Sequence, residues 1–304
     1  MKHIKGLVAA PFTPFGKNGK VDFGTIEKLA ASLMTNKVVG AFVCGTTGEG
    51  VSMTIAERMK VAERWQACAG KKLRVIVHVG HTSLGDSRAL AAHAQKIGAS
   101  AIGCMAPYCF KPSKVDDLVA FCAEIAAAAP DLPFYYYHIP CVTGVTIPAF
   151  DFLRAAADKI PNLAGIKFTH ENLMDFASCV RWEGGRFDAL YGRDEMLLAG
   201  LAMGAQGAIG STYNYAAPVY HRIMAAFARG DMAAAQAEQA RANAMIAVLI
   251  RYGGMPPAGK AFMKAIGLDC GGSRLPLRSL TDEQAEALRA EAEAVGFYDF
   301  ASRP

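Results

Sequence analysis

Short segments rich in apolar and β-branched residues recur eight times along this chain, with helix-like stretches between them. They are Gly6–Ala10, Ala41–Cys44, Arg74–Val79, Ala101–Ala106, Phe134–His138, Ala164–Phe168, Asp188–Tyr191 and Gly207–Gly210. Most begin roughly 25–35 residues apart, the length that a strand, a crossover helix and two loops require. Strands joined by helical crossovers lie parallel, and a parallel sheet is covered by helices. Eight β-then-α units in series therefore predict a closed α/β (β/α)8 TIM barrel, with a doubly wound open sheet as the alternative.

Helix starts reinforce the pattern. Thr54-x-x-Glu57, Ser83-x-x-Asp86 and Ser113-x-x-Asp116 have the spacing of capping boxes, in which side chains satisfy the first free N–H groups of a helix. Pro148 and Pro218 are expected in a first helical turn, where a missing N–H costs nothing. After about residue 225 the pattern is helical only: Met232–Tyr252, Lys260–Ile266 and a segment capped at Thr281 that runs to Gly296. Residues 1–225 are expected to form the catalytic barrel, and residues 226–304 a C-terminal helical extension packed on it.

Composition narrows the class. With 304 residues and 52% hydrophobic positions the chain can bury a core of barrel size. Charged residues are 19% and the net charge is +5, with no run of four Lys or Arg. That argues against nucleic acid or a membrane surface as partner and leaves small molecules. The eight cysteines include no Cys-x-x-Cys pair, which suits a reducing, cytoplasmic setting better than a disulfide framework. The basic start, Met1-Lys2-His3-Ile4-Lys5, leads into an apolar run from Leu7 that ends at Pro11, too short for a signal-peptide core.

In such a barrel the chemistry sits at the carboxyl ends of the strands. Lys167 lies in the apolar segment Ala164-Gly165-Ile166-Lys167-Phe168. An ammonium with no partner in a barrel interior would cost several kcal/mol and would tend to lose its proton instead. The neutral amine is a nucleophile toward ketones, and the iminium it forms accepts the electrons of a breaking C–C bond. A lysine paired with a carboxylate, or reaching to the rim, is the alternative. The loop Gly45-Thr46-Thr47-Gly48-Glu49-Gly50 matches neither nucleotide-binding template. It offers N–H groups and two hydroxyls suited to a small carboxylate, unless it is a plain tight turn. In Phe134-Tyr135-Tyr136-Tyr137-His138, alternation puts Tyr135 and Tyr137 on one face, and Tyr136 and His138 on the other. A phenol facing inward near the barrel mouth is able to relay a proton; otherwise it fills the core. His78, His81, His138 and His170 raise the question of zinc or iron, but His78-x-x-His81 straddles a strand end and lacks a clear third ligand, so no metal is expected.

Gly45-Thr46-Thr47-Gly48-Glu49, Tyr137-x-x-Pro140 and Gly165-x-Lys167, in that order and spacing, resemble the dihydrodipicolinate synthase/N-acetylneuraminate lyase family of class I aldolases. The resemblance spans essentially the whole chain. It leans to the lyase branch through Phe134–Pro140 and Gly210-Ser211-Thr212-Tyr213-Asn214-Tyr215.

The resemblance implies roles residue by residue. Lys167 would form the imine, Thr46 and Thr47 would hold the pyruvate-end carboxylate, and Tyr137 would carry the proton released from the C4 hydroxyl. Thr47 is grouped with Lys167 and Tyr137 as catalytic. Asp194, Glu195 and Ser211 match positions that bind sugar hydroxyls, Gly192 leaves room for the sugar chain, and Thr169 stands where specificity is set. The resemblance also implies a homotetramer, no cofactor, and reversible cleavage of N-acetylneuraminate to N-acetylmannosamine and pyruvate. The alternatives are another 2-keto-3-deoxy sugar acid or dihydrodipicolinate synthase. The synthase carries an arginine where this chain has Val142 and a subunit-crossing tyrosine where it has Cys109, which argues against that reaction. A metal-dependent barrel enzyme and a sugar-acid sensor without activity also stay open.

Overall fold

Strands begin wherever apolar, β-branched runs meet a turn, and all eight expected ones form. The computed structural model describes residues 3–304; Met1 and Lys2, part of the basic start, lie outside the described residues. The strands are β1 (Gly6–Ala9), β2 (Gly40–Val43), β3 (Arg74–His78), β4 (Ala101–Met105), β5 (Phe134–His138), β6 (Leu163–Phe168), β7 (Asp188–Tyr191) and β8 (Gly207–Gly210). Nearly every position in them is buried, as parallel strands covered on both faces require. They hydrogen-bond in chain order and close as a barrel, β8 against β1. Gly6 N donates to Gln206 O at 3.0 Å and Ala10 N to Gly210 O at 2.8 Å. An open doubly wound sheet is thereby ruled out.

The intervening helices are α1 (Phe23–Thr35), α2 (Ile55–Ala69), α3 (Leu84–Lys96), α4 (Val115–Ala127), the single turn α5 (Pro140–Thr143), α6 (Ala149–Ala156), α7 (Leu173–Arg181), α8 (Leu197–Ala202) and α9 (Tyr213–Ala228). Then come α10 (Met232–Arg251), α11 (Pro257–Ala265) and α12 (Asp282–Ala294). Thr54 and Thr281 close full capping boxes with Glu57 and Gln284. Ser83 accepts from Asp86 N as expected. Ser113 does not cap: α4 starts one residue later, with Lys114 in the cap position and no side-chain bond. Asp116 and Asp117 in its first turn meet the helix dipole instead. Pro148 is the cap residue of α6 rather than its first turn. Pro218 lies inside α9, but the helix breaks at Ala216 (φ −137°), so the proline opens the longer segment. The Ala217 amide at that break donates to Ser302 Oγ at 3.1 Å.

By packing density the chain divides into two compact units. One holds Val75–Arg193 and Ala199–Ile209 with the described residues up to Gly6; the other holds Leu7–Arg74, Asp194–Leu198 and Gly210–Pro304. In the first, Tyr136 packs on Phe152 of α6 with ring centroids 4.2 Å apart, and His138 packs on Phe168 at 5.2 Å. These two side chains therefore face the helices, and alternation turns Tyr135 and Tyr137 to the barrel interior. In the second unit, Phe262 of α11 stacks on Tyr215 at 5.0 Å and meets Phe297 edge-on at 5.0 Å, joining α9, α11 and the turn after α12. All eight cysteines are free thiols. Among the described residues no helix is long and apolar enough to cross a membrane.

Candidate active site

The inward face of β5 and β6 decides what Lys167 touches. Register pairs Tyr137 with Lys167 and Tyr135 with Gly165. Lys167 is 4% exposed, and its Nζ stands 3.8 Å from the centroid of the Tyr137 ring. That electron-rich face attracts a cation, and it also fixes where the nitrogen points. His78, the last residue of β3, meets Tyr137 edge-on at 5.9 Å. One layer toward the amino ends, Tyr135 Oη donates to Asp188 Oδ2 at 3.0 Å. Burial raises the Asp188 carboxyl above its ordinary range, against the Ile4 N–H and the Tyr135 hydroxyl that lower it.

Thr169 follows β6 directly. Its N donates to His138 O at 2.8 Å, while its Oγ1 is buried with no hydrogen-bond partner among the described residues. Gly192, just past β7, lies against it: a Cβ there would overlap the Thr169 hydroxyl and crowd Phe168 O at 2.9 Å. Thr169 thus fills the direction that a side chain at position 192 would take. Arg193 forms an ion pair with Glu171, so the loops after β6 and β7 are tied by charge. His138 packs among the rings of Tyr136, Phe168 and His170. Burial pushes its imidazole down to about 3, with His170 adding to the effect, so the ring is neutral at physiological pH.

In the second unit, β2 ends because Cys44 turns left-handed (φ 58°) and leads into the glycine-rich loop. Thr46 is exposed and Thr47 half-buried. The loop is closed on itself, Glu49 N to Thr46 O and Gly50 N to Gly45 O, each at 3.1 Å. Thr13 Oγ1 donates to Gly48 O at 2.6 Å. Asp194 is 5% exposed, and its Oδ2 accepts from Thr212 N at 2.9 Å and Thr212 Oγ1 at 2.7 Å. Gln239 of α10 donates to Asp194 O at 3.1 Å and accepts from Leu198 N at 3.0 Å, holding the turn that carries half-buried Glu195. Ser211 is half-buried, and its carbonyl accepts from Asn214 Nδ2 at 2.7 Å. The same amide group donates to Ala10 O at 2.8 Å, at the end of β1.

Tyr137 and Lys167 are thus the next-to-last residues of β5 and β6, and the other sequence-predicted site residues lie in the segments that follow β2, β6, β7 and β8. Among the described residues, no group of three or more His, Cys, Asp and Glu side chains is arranged to hold a metal ion. A model of the dihydrodipicolinate synthetase family matches residues 3–295. The chain belongs to the dihydrodipicolinate synthetase family. Similar relatives include the N-acetylneuraminate lyase of Rattus norvegicus, 43% identical over 98% of this chain and 95% of its own length. Among solved structures, the Proteus mirabilis N-acetylneuraminate lyase superposes with a TM-score of 0.95 at 44% identity, covering 97% of this chain and 100% of its own. The corresponding enzyme of Aliivibrio salmonicida gives 0.95 at 42% identity, over 98% of each chain. Two positions bear on which branch of the dihydrodipicolinate synthetase family the site fits. Val142 is 47% exposed and Cys109 is exposed, so an apolar group and a thiol stand where the resemblance leads one to look for the synthase's arginine and tyrosine.

Several contacts went unread in the sequence. Thr212 was visible beside Ser211, but nothing marked it as the clamp on Asp194. His78 reads in the sequence as a candidate metal ligand, whereas in the fold it meets the Tyr137 ring. No local signal pairs Glu171 with Arg193, because their partnership exists only through the register of β6 and β7.

Proposed function

We propose that this chain cleaves N-acetylneuraminate reversibly to N-acetylmannosamine and pyruvate through an imine on Lys167. The observation that carries the reading is the Lys167 nitrogen held over the ring of Tyr137 inside the barrel. Full-length relatives bearing the lyase name support it. The Lys167 amine adds to the C2 ketone of the open-chain sugar acid, and loss of water leaves a protonated imine. As the C3–C4 bond breaks, its electron pair passes to C3 and the iminium nitrogen takes up charge as an enamine. The C4 hydroxyl becomes the aldehyde of N-acetylmannosamine, its proton leaving through Tyr137. Protonation at C3 and hydrolysis then free pyruvate and restore the amine. Thr46 and Thr47 hold the carboxylate; Thr169, Glu195 and Ser211 face the sugar chain, with Gly192 and Asp194 shaping that end of the site. No metal or organic cofactor enters the reaction.

Borohydride with pyruvate tests this. Reduction of the imine adds a stable mass to Lys167, and Lys167→Ala carries neither adduct nor activity; an unlabelled wild-type Lys167 sinks the reading. A second substrate reading, another 2-keto-3-deoxy sugar acid, draws on Asp194: its Oδ2 already accepts two hydrogen bonds from Thr212, which leaves less of it for a sugar hydroxyl. Relative kcat/KM over a panel of sugar acids separates the two. From the same resemblance we infer a cytoplasmic homotetramer, and light scattering on the purified protein checks the oligomer.

A further inference from the structure

The glycine-rich loop ends in a buried charge. Glu49 takes a left-handed backbone (φ 52°, ψ 35°), and its side chain is only 1% exposed. Its Oε1 lies 2.8 Å from Nζ of Lys260 on α11, a side chain 3% exposed, and its Oε2 accepts from Arg274 N at 2.9 Å. Lys260 Nζ also donates to Gly272 O at 2.7 Å and stands 4.4 Å from the centroid of Phe15. The Arg274 guanidinium covers the same ring at 4.4 Å and reaches Ser52 O at 2.9 Å, just past the loop. One carboxylate therefore ties the loop after β2 to α11 and to the segment that follows it.

A buried ion pair is a poor way to gain stability, because desolvating both charges offsets most of their attraction. Burial indeed lowers the Lys260 amine from its usual range, and Glu49 counters that. The left-handed backbone of a non-glycine residue adds strain, which persists only where the surroundings hold it in place. What this costly pair does fix is the backbone two and three residues upstream. Glu49 N donates to Thr46 O, and Gly50 packs so closely that a Cβ there would overlap Cys44 O. The anchored Glu49 thus shares a backbone hydrogen bond with Thr46 and closes the loop that carries Thr47.

We propose that Lys260 is a positioning residue for the carboxylate end of the substrate, acting through Glu49 to hold Thr46 and Thr47 in binding geometry. It touches no substrate itself. The inference rests on the reading of Thr46 and Thr47 as the pyruvate-carboxylate site, and it extends the active site to a helix beyond the eighth strand.

The test uses full-length Lys260→Met and the double variant Glu49→Gln/Lys260→Met. For each, the pyruvate concentration that half-saturates borohydride trapping of Lys167 is measured, together with KM and kcat for N-acetylneuraminate, and circular dichroism reports folding. In folded Lys260→Met, half-saturating pyruvate and KM rise about tenfold or more while kcat falls less than about threefold, since only the binding geometry is loosened. A merely structural lysine would lower Tm and leave half-saturation within about twofold of wild type, and that result overturns the proposal. Should Lys260→Met not fold, the double variant decides, because removing both charges together leaves no buried charge uncompensated. Its half-saturation is expected to stay raised, and a wild-type value there overturns the proposal. The two readings fail differently. A wild-type protein with no Lys167 adduct removes the imine reading and this inference with it, whereas a wild-type adduct with unchanged variants removes only the role of Lys260.

Discussion

Replacing Tyr137 with phenylalanine separates what its ring does from what its hydroxyl does. The residue is 3% exposed, its ring sits 3.8 Å from Lys167 Nζ, and its edge contact with His78 is at 5.9 Å. Truncation to alanine would remove all of that and cost about 3–5 kcal/mol of stability, confusing folding with chemistry. Phenylalanine keeps the ring, the packing and the surface beneath Lys167, and the loss of one hydroxyl hydrogen bond changes stability by about 1 kcal/mol. If the phenol carries the proton released from the C4 hydroxyl, the variant loses a general acid–base group. That is worth about 10²–10⁴ in rate, or about 3–5 kcal/mol of barrier. The expected outcome for Tyr137→Phe is therefore a near-wild-type Tm and continued borohydride trapping of pyruvate on Lys167. Turnover of N-acetylneuraminate in a coupled pyruvate assay should fall at least a hundredfold. Turnover within about threefold of wild type would refute the proton relay. Loss of trapping with the fold intact would refute the division of labour, because the phenol would then be needed to make the imine at all.

Two further predictions concern the frame of the site. Gly192→Ala drives a Cβ into the Thr169 hydroxyl and toward Phe168 O, an overpacking that costs about 1–3 kcal/mol and lowers the urea midpoint. Adding Thr169→Ala recovers part of the loss, and an unchanged midpoint in the single variant would show that the loops yield freely. Hydrogen bonds from Arg274, at 2.6 and 2.8 Å, are the main cause that holds the Glu57 carboxyl down to about 2 from an ordinary 4.5. A depressed carboxyl stabilises the fold above its unfolded value and loses that contribution as pH falls from about 4.5 toward 2. Because the pair is partly solvated, the expected contribution is about 1 kcal/mol. Denaturant titrations across that window should fall more steeply for wild type than for Glu57→Gln, and parallel profiles would contradict the assignment.

Much of this arrangement is legible in one dimension because its causes are local. β5 and β7 run over their expected residues, since β-branched and aromatic runs bounded by turns leave few other choices. β2 stops one residue short of Cys44 for a reason no pattern displays: the backbone there turns left-handed to start the loop. Ser113 and Pro218 show the same limit. Cap and breaker signals locate a helix to within a turn, while the residue that begins it is chosen by what the neighbouring chain offers, as Ser302 does for the Ala217 amide.

Lys167 in an apolar strand, the paired threonines and Tyr137 are identities and spacings, and these are carried by the chain itself. Their order and spacing resemble those of a family of class I aldolases, and it is that resemblance that implies imine chemistry. The face of each strand is not legible in that way, because a period of two is satisfied equally by either orientation until one set of side chains meets a helix. Tyr136 against Phe152 makes that choice, and it turns Tyr137 inward beneath Lys167. The partner of each buried charge was equally hidden. Asp194 reads as a sugar ligand with no sign in the sequence that Thr212 also donates to it, and Glu49 reads as the end of a turn. Its hydrogen-bond partner Arg274 lies 225 residues away, and Lys260 reaches it from the same distant region. Electrostatic partners are selected by closeness in space under desolvation, and separation along the sequence carries no record of that.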